Sequence, residues 1–190
     1  MARAAVCPSC RQTPPAINGI RSVVMLQDGA RQAIHHFKYG NRPSLAAPLA
    51  SLMADYWTAS PLQADLIVSV PLHVARQRER GYNQAHLLAC VLGQMVGLPL
   101  ATNTLRRTRH TRVQVGLDAT ERQLNVRDAF ACQVPVKGEV SGEHRTTVEG
   151  RQILLLDDVC TTGATLEACT MALREAGAAT VWGFTLAHAR

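Results

Sequence analysis

The sequence predicts an α/β fold, an open and mostly parallel sheet flanked by helices, and three observations predict it. Short apolar runs rich in Ile, Val and Leu at 66–70 and 153–156, with a further run at 180–187, have the length of buried strands. Stretches with helical apolar spacing lie between them, so strands and helices alternate along the chain. Breakers fall at the boundaries: Pro71 after one strand, Gly97 and Pro99 after one helix, Gly177 after another.

The elements follow in order. Residues 1–17 form a short appendage that contains Cys7-Pro-Ser-Cys10 and ends in Pro14-Pro15; residues 18–190 form the main domain. Residues 20–26 alternate weakly and predict a strand. Residues 30–38 predict a short helix that ends before Tyr39-Gly40-Asn41, and 45–57 a second helix. The strand at 66–70 runs into a loop at Pro71. Residues 83–96 predict a helix with Leu87, Leu88, Val91, Leu92 and Met95 on one side. Residues 105–128 are rich in arginine and lack a continuous apolar run, and 133–150 read as a loop or hairpin. The strand at 153–156 leads to a helix over 164–176, with Leu166, Cys169, Ala172 or Leu173, and Ala176 facing inward. Residues 180–187 are the last strand.

With 190 residues, 47% of them hydrophobic, the chain is long enough for one substantial core. Its apolar runs are too short to cross a membrane, and the N-terminus lacks the apolar region of a signal peptide, which predicts a cytoplasmic protein without membrane insertion. The net charge is +6, and the only lysines are Lys38 and Lys137 against eighteen arginines. Nine arginines fall within 76–127, where Glu79, Asp118 and Glu121 are the only acids. That imbalance suits an anionic partner. Aromatic residues make up only 4% of the chain, so phosphate contact is better served than base stacking. The six cysteines show no secreted disulfide framework. Cys90 and Cys169 read as core, and Cys160 as a small packing residue.

Residues 153–165 carry the clearest chemistry. Ile153-Leu-Leu-Leu156 is the strand, Asp157-Asp158 stands at its C-terminal end, and a Thr/Gly loop opens the next helix. Loop and helix N–H groups can hold a phosphate, with hydroxyls from Thr161, Thr162 and Thr165. Gly163 allows close approach or positive φ. The carboxylates can accept hydrogen bonds from vicinal ribose hydroxyls. A second strand-end segment, residues 70–84, brings His73, Arg76, Arg78 and Arg80 to the same edge of the sheet. Arginine's planar fork suits a second phosphate group.

The stretch Asp157-Asp158-Val159-Cys160-Thr161-Thr162-Gly163-Ala164-Thr165 resembles the phosphoribosyl-pyrophosphate (PRPP) motif of type I phosphoribosyltransferases. The chain as a whole resembles the ComF family, the ComFC and GntX-like competence proteins of that superfamily. The resemblance rests on Cys7-Pro-Ser-Cys10, Lys38-Tyr39-Gly40, Val70-Pro71-Leu72-His73 and Arg80-Gly81-Tyr82-Asn83-Gln84. It continues through Thr111, Gln114-Val115-Gly116-Leu117, Arg122, Asn125-Val126 and Ala129-Phe130 to the acidic motif.

This resemblance implies a type I phosphoribosyltransferase-like sheet. It implies that Asp157 and Asp158 contact the ribose hydroxyls and that Thr161, Thr162, Gly163, Ala164 and Thr165 wrap the 5′-phosphate. Residues 71–76 correspond to the pyrophosphate loop, so Leu72, His73 and Arg76, with Arg80, are expected on the pyrophosphate. Arg80 and the arginines of 105–125 are expected near the mouth of the site. Mg²⁺ would accompany PRPP, held through substrate oxygens and water. The protein would transfer or sense the phosphoribosyl group, in connection with DNA uptake and natural transformation; no residue stands out as a general base. The alternative is a non-catalytic single-stranded-DNA-binding competence module that uses the basic region 76–127, with DNA or competence proteins as partners.

The chain departs from the family at its N-terminus. ComF proteins carry a four-cysteine zinc module of two CxxC pairs, and here residues 1–17 are only a partial zinc-ribbon-like segment. Cys7 and Cys10 supply one pair, as though the chain started late. Four thiolates make a closed zinc site, so Zn²⁺ at Cys7 and Cys10 alone is expected to be incomplete.

Overall fold

The computed structural model describes residue 11 and residues 14–109, 128–133 and 147–189. Cys7 and Cys10 lie outside the described residues, as do the family-like positions from Thr111 to Val126. Strand β1 (Gly19–Met25) leads into helix α1 (Asp28–Tyr39). A 3₁₀ turn (Pro43–Leu45) precedes α2 (Ala46–Ala59). Strand β2 (Leu66–Ser69) is followed by α3 (Val74–Arg80) and α4 (Gln84–Val96). Strands β3 (Leu105–Arg107) and β4 (Phe130–Cys132) come next. The chain continues through β5 (Gln152–Cys160), α5 (Ala164–Glu175) and β6 (Thr180–His188).

The main sheet has the order β1-β6-β5-β2, and its three pairings are parallel. Both faces of such a sheet must be covered, which is why its strands read as continuous apolar runs rather than alternating ones. On β5, Ile153 and Leu155 face the α5 side, packed with Leu166, Cys169 and Leu173. Leu154 and Leu156 face the opposite side, packed with Phe37 of α1, Met53 of α2, and Leu88 and Leu92 of α4. All four β5 residues are fully buried, and each contributes roughly 1.5–3 kcal/mol through removal of apolar area from water.

The fold is therefore the expected α/β sheet between helices, with four differences in detail. Residues 74–80, expected as loop, form α3, because His73 caps a run of good helix formers and Gly81 ends it at φ +79°. Strand β5 continues four residues beyond its apolar run, because the ladder to β6 extends as far as Cys160 and His188. The Arg-rich region contains β3, whose antiparallel partner is β4; together they pack against α5 on the outer side of the sheet. Met95 is 49% exposed, since Ala85, Leu88, Ala89 and Leu92 define the buried face of α4, and Cys90 is only half-buried. Among the described residues, no helix is long and apolar enough to cross a membrane.

Candidate functional site

The acidic pair sits inside β5, not after it. Asp157 pairs in register with Thr185 and Val159 with Ala187, while the Asp158 N–H donates to Asp157 Oδ1 at 2.8 Å. Side-chain alternation slips by one residue here: Leu156 and Val159 pack on the same face, Leu155 and Cys160 on the other. The two carboxylates consequently meet different surroundings. Asp158 is 7% exposed and accepts an ion pair from Lys38 Nζ of α1 at 3.0 Å. Asp157 lies within electrostatic reach of Arg107 and of the buried Cys169 thiol on the α5 side. Burial pushes the Asp157 carboxyl up, to about 7, and the neighbouring Asp158 charge adds to the rise; Lys38, the Asp158 N–H and Arg107 pull it part of the way back. A carboxyl displaced this far beside a second one marks a candidate site.

Residues 161–163 turn the chain from β5 into α5. Gly163 is the N-cap at φ +82°, and a Cβ there would stand 3.0 Å from Ile20 Cδ1. Only glycine suits that left-handed conformation against that neighbour. No side chain caps α5 at this position, while Thr162 Oγ1 accepts from the Ala164 N–H at 3.4 Å. Thr161, Gly163, Ala164 and Thr165 are half-buried and Thr162 is exposed. Cys160 is buried, and burial together with the Asp157 charge raises its thiol to about 11, so it stays protonated and packs.

The exit of β2 adjoins this loop, since Val70 N–H donates to Leu156 O at 2.9 Å. Leu72 and His73 are half-buried there. His73 Nδ1 accepts from the Ala75 N–H at 3.2 Å and caps α3. Arg76 is paired with Glu79 at 2.7 Å, and its charge acts on Arg107. Arg76, Arg107 and Asp157 thus share one electrostatic neighbourhood. The Arg80 guanidinium lies 4.9 Å over the Tyr39 ring and donates to Tyr39 Oη and Gln84 Oε1.

Four residues that the structure draws into the site had no individual role in the sequence reading. Lys38 was quoted only within the family-like segment Lys38-Tyr39-Gly40, and Arg107 only among the 105–125 arginines expected near the mouth of the site. Tyr82 Oη donates to Phe37 O at 2.5 Å, and buried Gln84 donates from Nε2 to the same carbonyl at 3.4 Å. Neither contact has a local sequence signal, because each spans more than forty residues.

Among the described residues, no group of three or more His, Cys, Asp or Glu is placed to hold a metal ion. Two adjacent carboxylates suit a hard cation such as Mg²⁺ that keeps water and ligand oxygens as its main ligands.

No family model matches the chain. It is similar to the DNA utilization protein YhgH of Salmonella typhi, 35% identical over 181 residues, covering 92% of this chain and 74% of that one. It is similar to competence protein F of Haemophilus influenzae, 31% identical over 188 residues, covering 95% and 78%. Competence protein ComFC of Bacillus subtilis is 32% identical over 169 residues, covering 87% and 62%. Among solved structures, a glutamine phosphoribosylpyrophosphate (PRPP) amidotransferase from B. subtilis complexed with ADP and GMP superposes at a TM-score of 0.50. It is 21% identical, and the match covers 80% of this chain and 30% of that one. That likeness shows a shared fold.

Proposed function

We propose, for this chain, which belongs to the ComF family of competence and DNA utilization proteins, that it binds PRPP together with Mg²⁺ and transfers or senses the phosphoribosyl group. One observation carries the reading. Two adjacent carboxylates, one of them pushed up to about 7 by burial and by its neighbour, lead through four residues, 159–162, into a glycine-capped helix N-terminus. A ribose 5-phosphate fits that order, with hydroxyls on Asp157 and Asp158 and phosphate on the N–H groups and hydroxyls of 161–165. The exit of β2, with Leu72, His73 and Arg76, is the adjoining place for the diphosphate. Bound Mg²⁺ would neutralise charge on the diphosphate oxygens. In a transfer step, an acceptor atom bonds to C1 as the C1–O bond breaks and diphosphate leaves with the electron pair. Arg76 and backbone N–H groups would stabilise that leaving charge.

The test is calorimetric titration of PRPP with Mg²⁺ into the wild type and Asp157→Asn/Asp158→Asn. Micromolar, Mg²⁺-dependent binding that the double variant loses is the expected result. A folded wild type that binds no PRPP overturns the reading.

A second reading is a single-stranded-DNA-binding module, favoured by the net charge of +6 and by the relatives' names, which tie them to DNA use and competence. It predicts binding that falls steeply with salt and ignores Asp157 and Asp158.

A further inference from the structure

We propose that Lys38 is a movable counter-ion of the site: it holds Asp158 while the site is empty and passes to the ligand's diphosphate when ribose hydroxyls take the carboxylate. Tyr82 and Gln84 are its positioning residues. The inference rests on the sugar-phosphate reading above.

A carboxylate as buried as Asp158 needs a partner, and that partner is Lys38, 3.0 Å away. A sugar's hydroxyls supply neutral donors to the same oxygens, and the ammonium is then left without its anion next to a ligand that brings several negative charges. Lys38 stands in the last turn of α1, whose Ile34 and Phe37 pack on the sheet face opposite α5. Its neighbour Tyr39 lies under Arg80, the last residue of α3. The ammonium therefore approaches from the side of the β2 exit, where the diphosphate belongs.

The residue type fits an exchange. This chain uses arginine eighteen times and lysine twice. An arginine here would grip the carboxylate with a bidentate fork, whereas an ammonium on a flexible four-carbon stem has three rotatable donors and no fixed plane.

The end of α1 is held from outside. The last carbonyls of a helix lack partners within it. His36 O accepts from the Gly40 N–H, and Phe37 O takes both Tyr82 Oη and Gln84 Nε2. Tyr82 also stacks at 5.7 Å on the Phe37 ring. In the same segment, Asn83 caps α4 and donates from Nδ2 to Val70 O at 3.0 Å. Residues 80–84 thus tie the β2 exit to the turn that carries Lys38.

The experiment is calorimetry on the full chain, titrating PRPP with Mg²⁺, inorganic pyrophosphate with Mg²⁺, and ribose 5-phosphate into the wild type, Lys38→Met and Tyr82→Phe, with circular dichroism to check folding. Lys38→Met should weaken PRPP and pyrophosphate by about tenfold or more and leave ribose 5-phosphate unchanged or tighter, because Asp158 is freed. Tyr82→Phe should weaken PRPP by about threefold with ribose 5-phosphate retained. Unchanged or tighter PRPP binding in Lys38→Met, or an equal loss for all three ligands, overturns the proposal while the sugar-phosphate reading stands. A wild type that binds none of them overturns both. If Lys38→Met does not fold, Tyr82→Phe decides on the same criterion.

Discussion

In the half of the site that leads into α5, nine consecutive residues, 157–165, carry the carboxylates, the hydroxyls and the helix start. On the α1 side, the equivalent work is divided among Lys38, the β2 exit at 70–76 and the segment 80–84, which meet only after folding. The first half is held by backbone: a parallel ladder up to Cys160 and a glycine in the left-handed region. The second is held by side chains on carbonyls and rings, such as Tyr82 and Gln84 on Phe37 and Arg80 on Tyr39. Backbone constraints tolerate few substitutions, whereas side-chain clamps fail gradually. That difference orders the expected effects.

The largest effect belongs to Gly163→Val. A β-branched residue at φ +82°, with its Cβ 3.0 Å from Ile20 Cδ1, should lower stability by about 2–3 kcal/mol and abolish PRPP binding. Urea denaturation and calorimetry check both parts. A variant that keeps its stability and its affinity would show that the backbone does not fix this half.

The same contrast explains what could be read in advance. Apolar runs and breakers located β2, β5, β6, α4 and α5, because burial on both faces of a parallel sheet leaves continuous hydrophobic stretches. The motif at 157–165 was legible because its chemistry is contiguous. The α3 helix was missed because Val74–Arg80 has one apolar residue after its cap besides alanine, and its ends are set by His73 and Gly81 rather than by periodicity. Extension of β5 through two carboxylates contradicts strand propensity; pairing with β6 overrides it. Lys38, Tyr82 and Gln84 were present in quoted segments, yet their convergence on Asp158 and Phe37 depends on tertiary distance. Arg80 was expected on the ligand; its contacts to the Tyr39 ring and to Gln84 depend on tertiary distance, which composition could not reveal.

A middle-sized effect separates the two acids. The folded-state Asp157 carboxyl is raised to about 7 from an ordinary value near 3.8. Between those values the native state holds a proton that the unfolded chain has released. Its contribution to stability is therefore fully present below about pH 4 and is lost as pH rises through about 7. Asp157→Asn should remove that slope and stabilise the ligand-free protein at pH 8 by roughly 1–2 kcal/mol, while PRPP binding is lost. Urea melts of wild type and variant at pH 5 and pH 8 provide the comparison; a wild-type stability that rises over that interval, with the rise absent in the variant, would contradict the buried, raised carboxyl. Asp158, already paired with Lys38, should not gain stability on the same replacement.

The smallest effect tests whether the β2 exit is restrained by its own contacts. Arg76 is spent on Glu79 at 2.7 Å, an i,i+3 pair in which the glutamate side chain is 57% exposed. Such a pair is worth little, so Glu79→Ala should change stability by less than about 0.5 kcal/mol. It would also remove a negative charge from the place assigned to the diphosphate and free Arg76 to turn toward it. Pyrophosphate with Mg²⁺ should then bind about two- to threefold more tightly, with the gain shrinking as salt is raised. Ribose 5-phosphate, which stays on the 157–165 side, should bind as before. A gain confined to pyrophosphate would mean that the assembled half adapts to its ligand while the contiguous half is already formed. An equal gain for both ligands would mean that Glu79 acts only through overall charge, and the distinction between the two halves would then rest on the backbone of 157–165 alone.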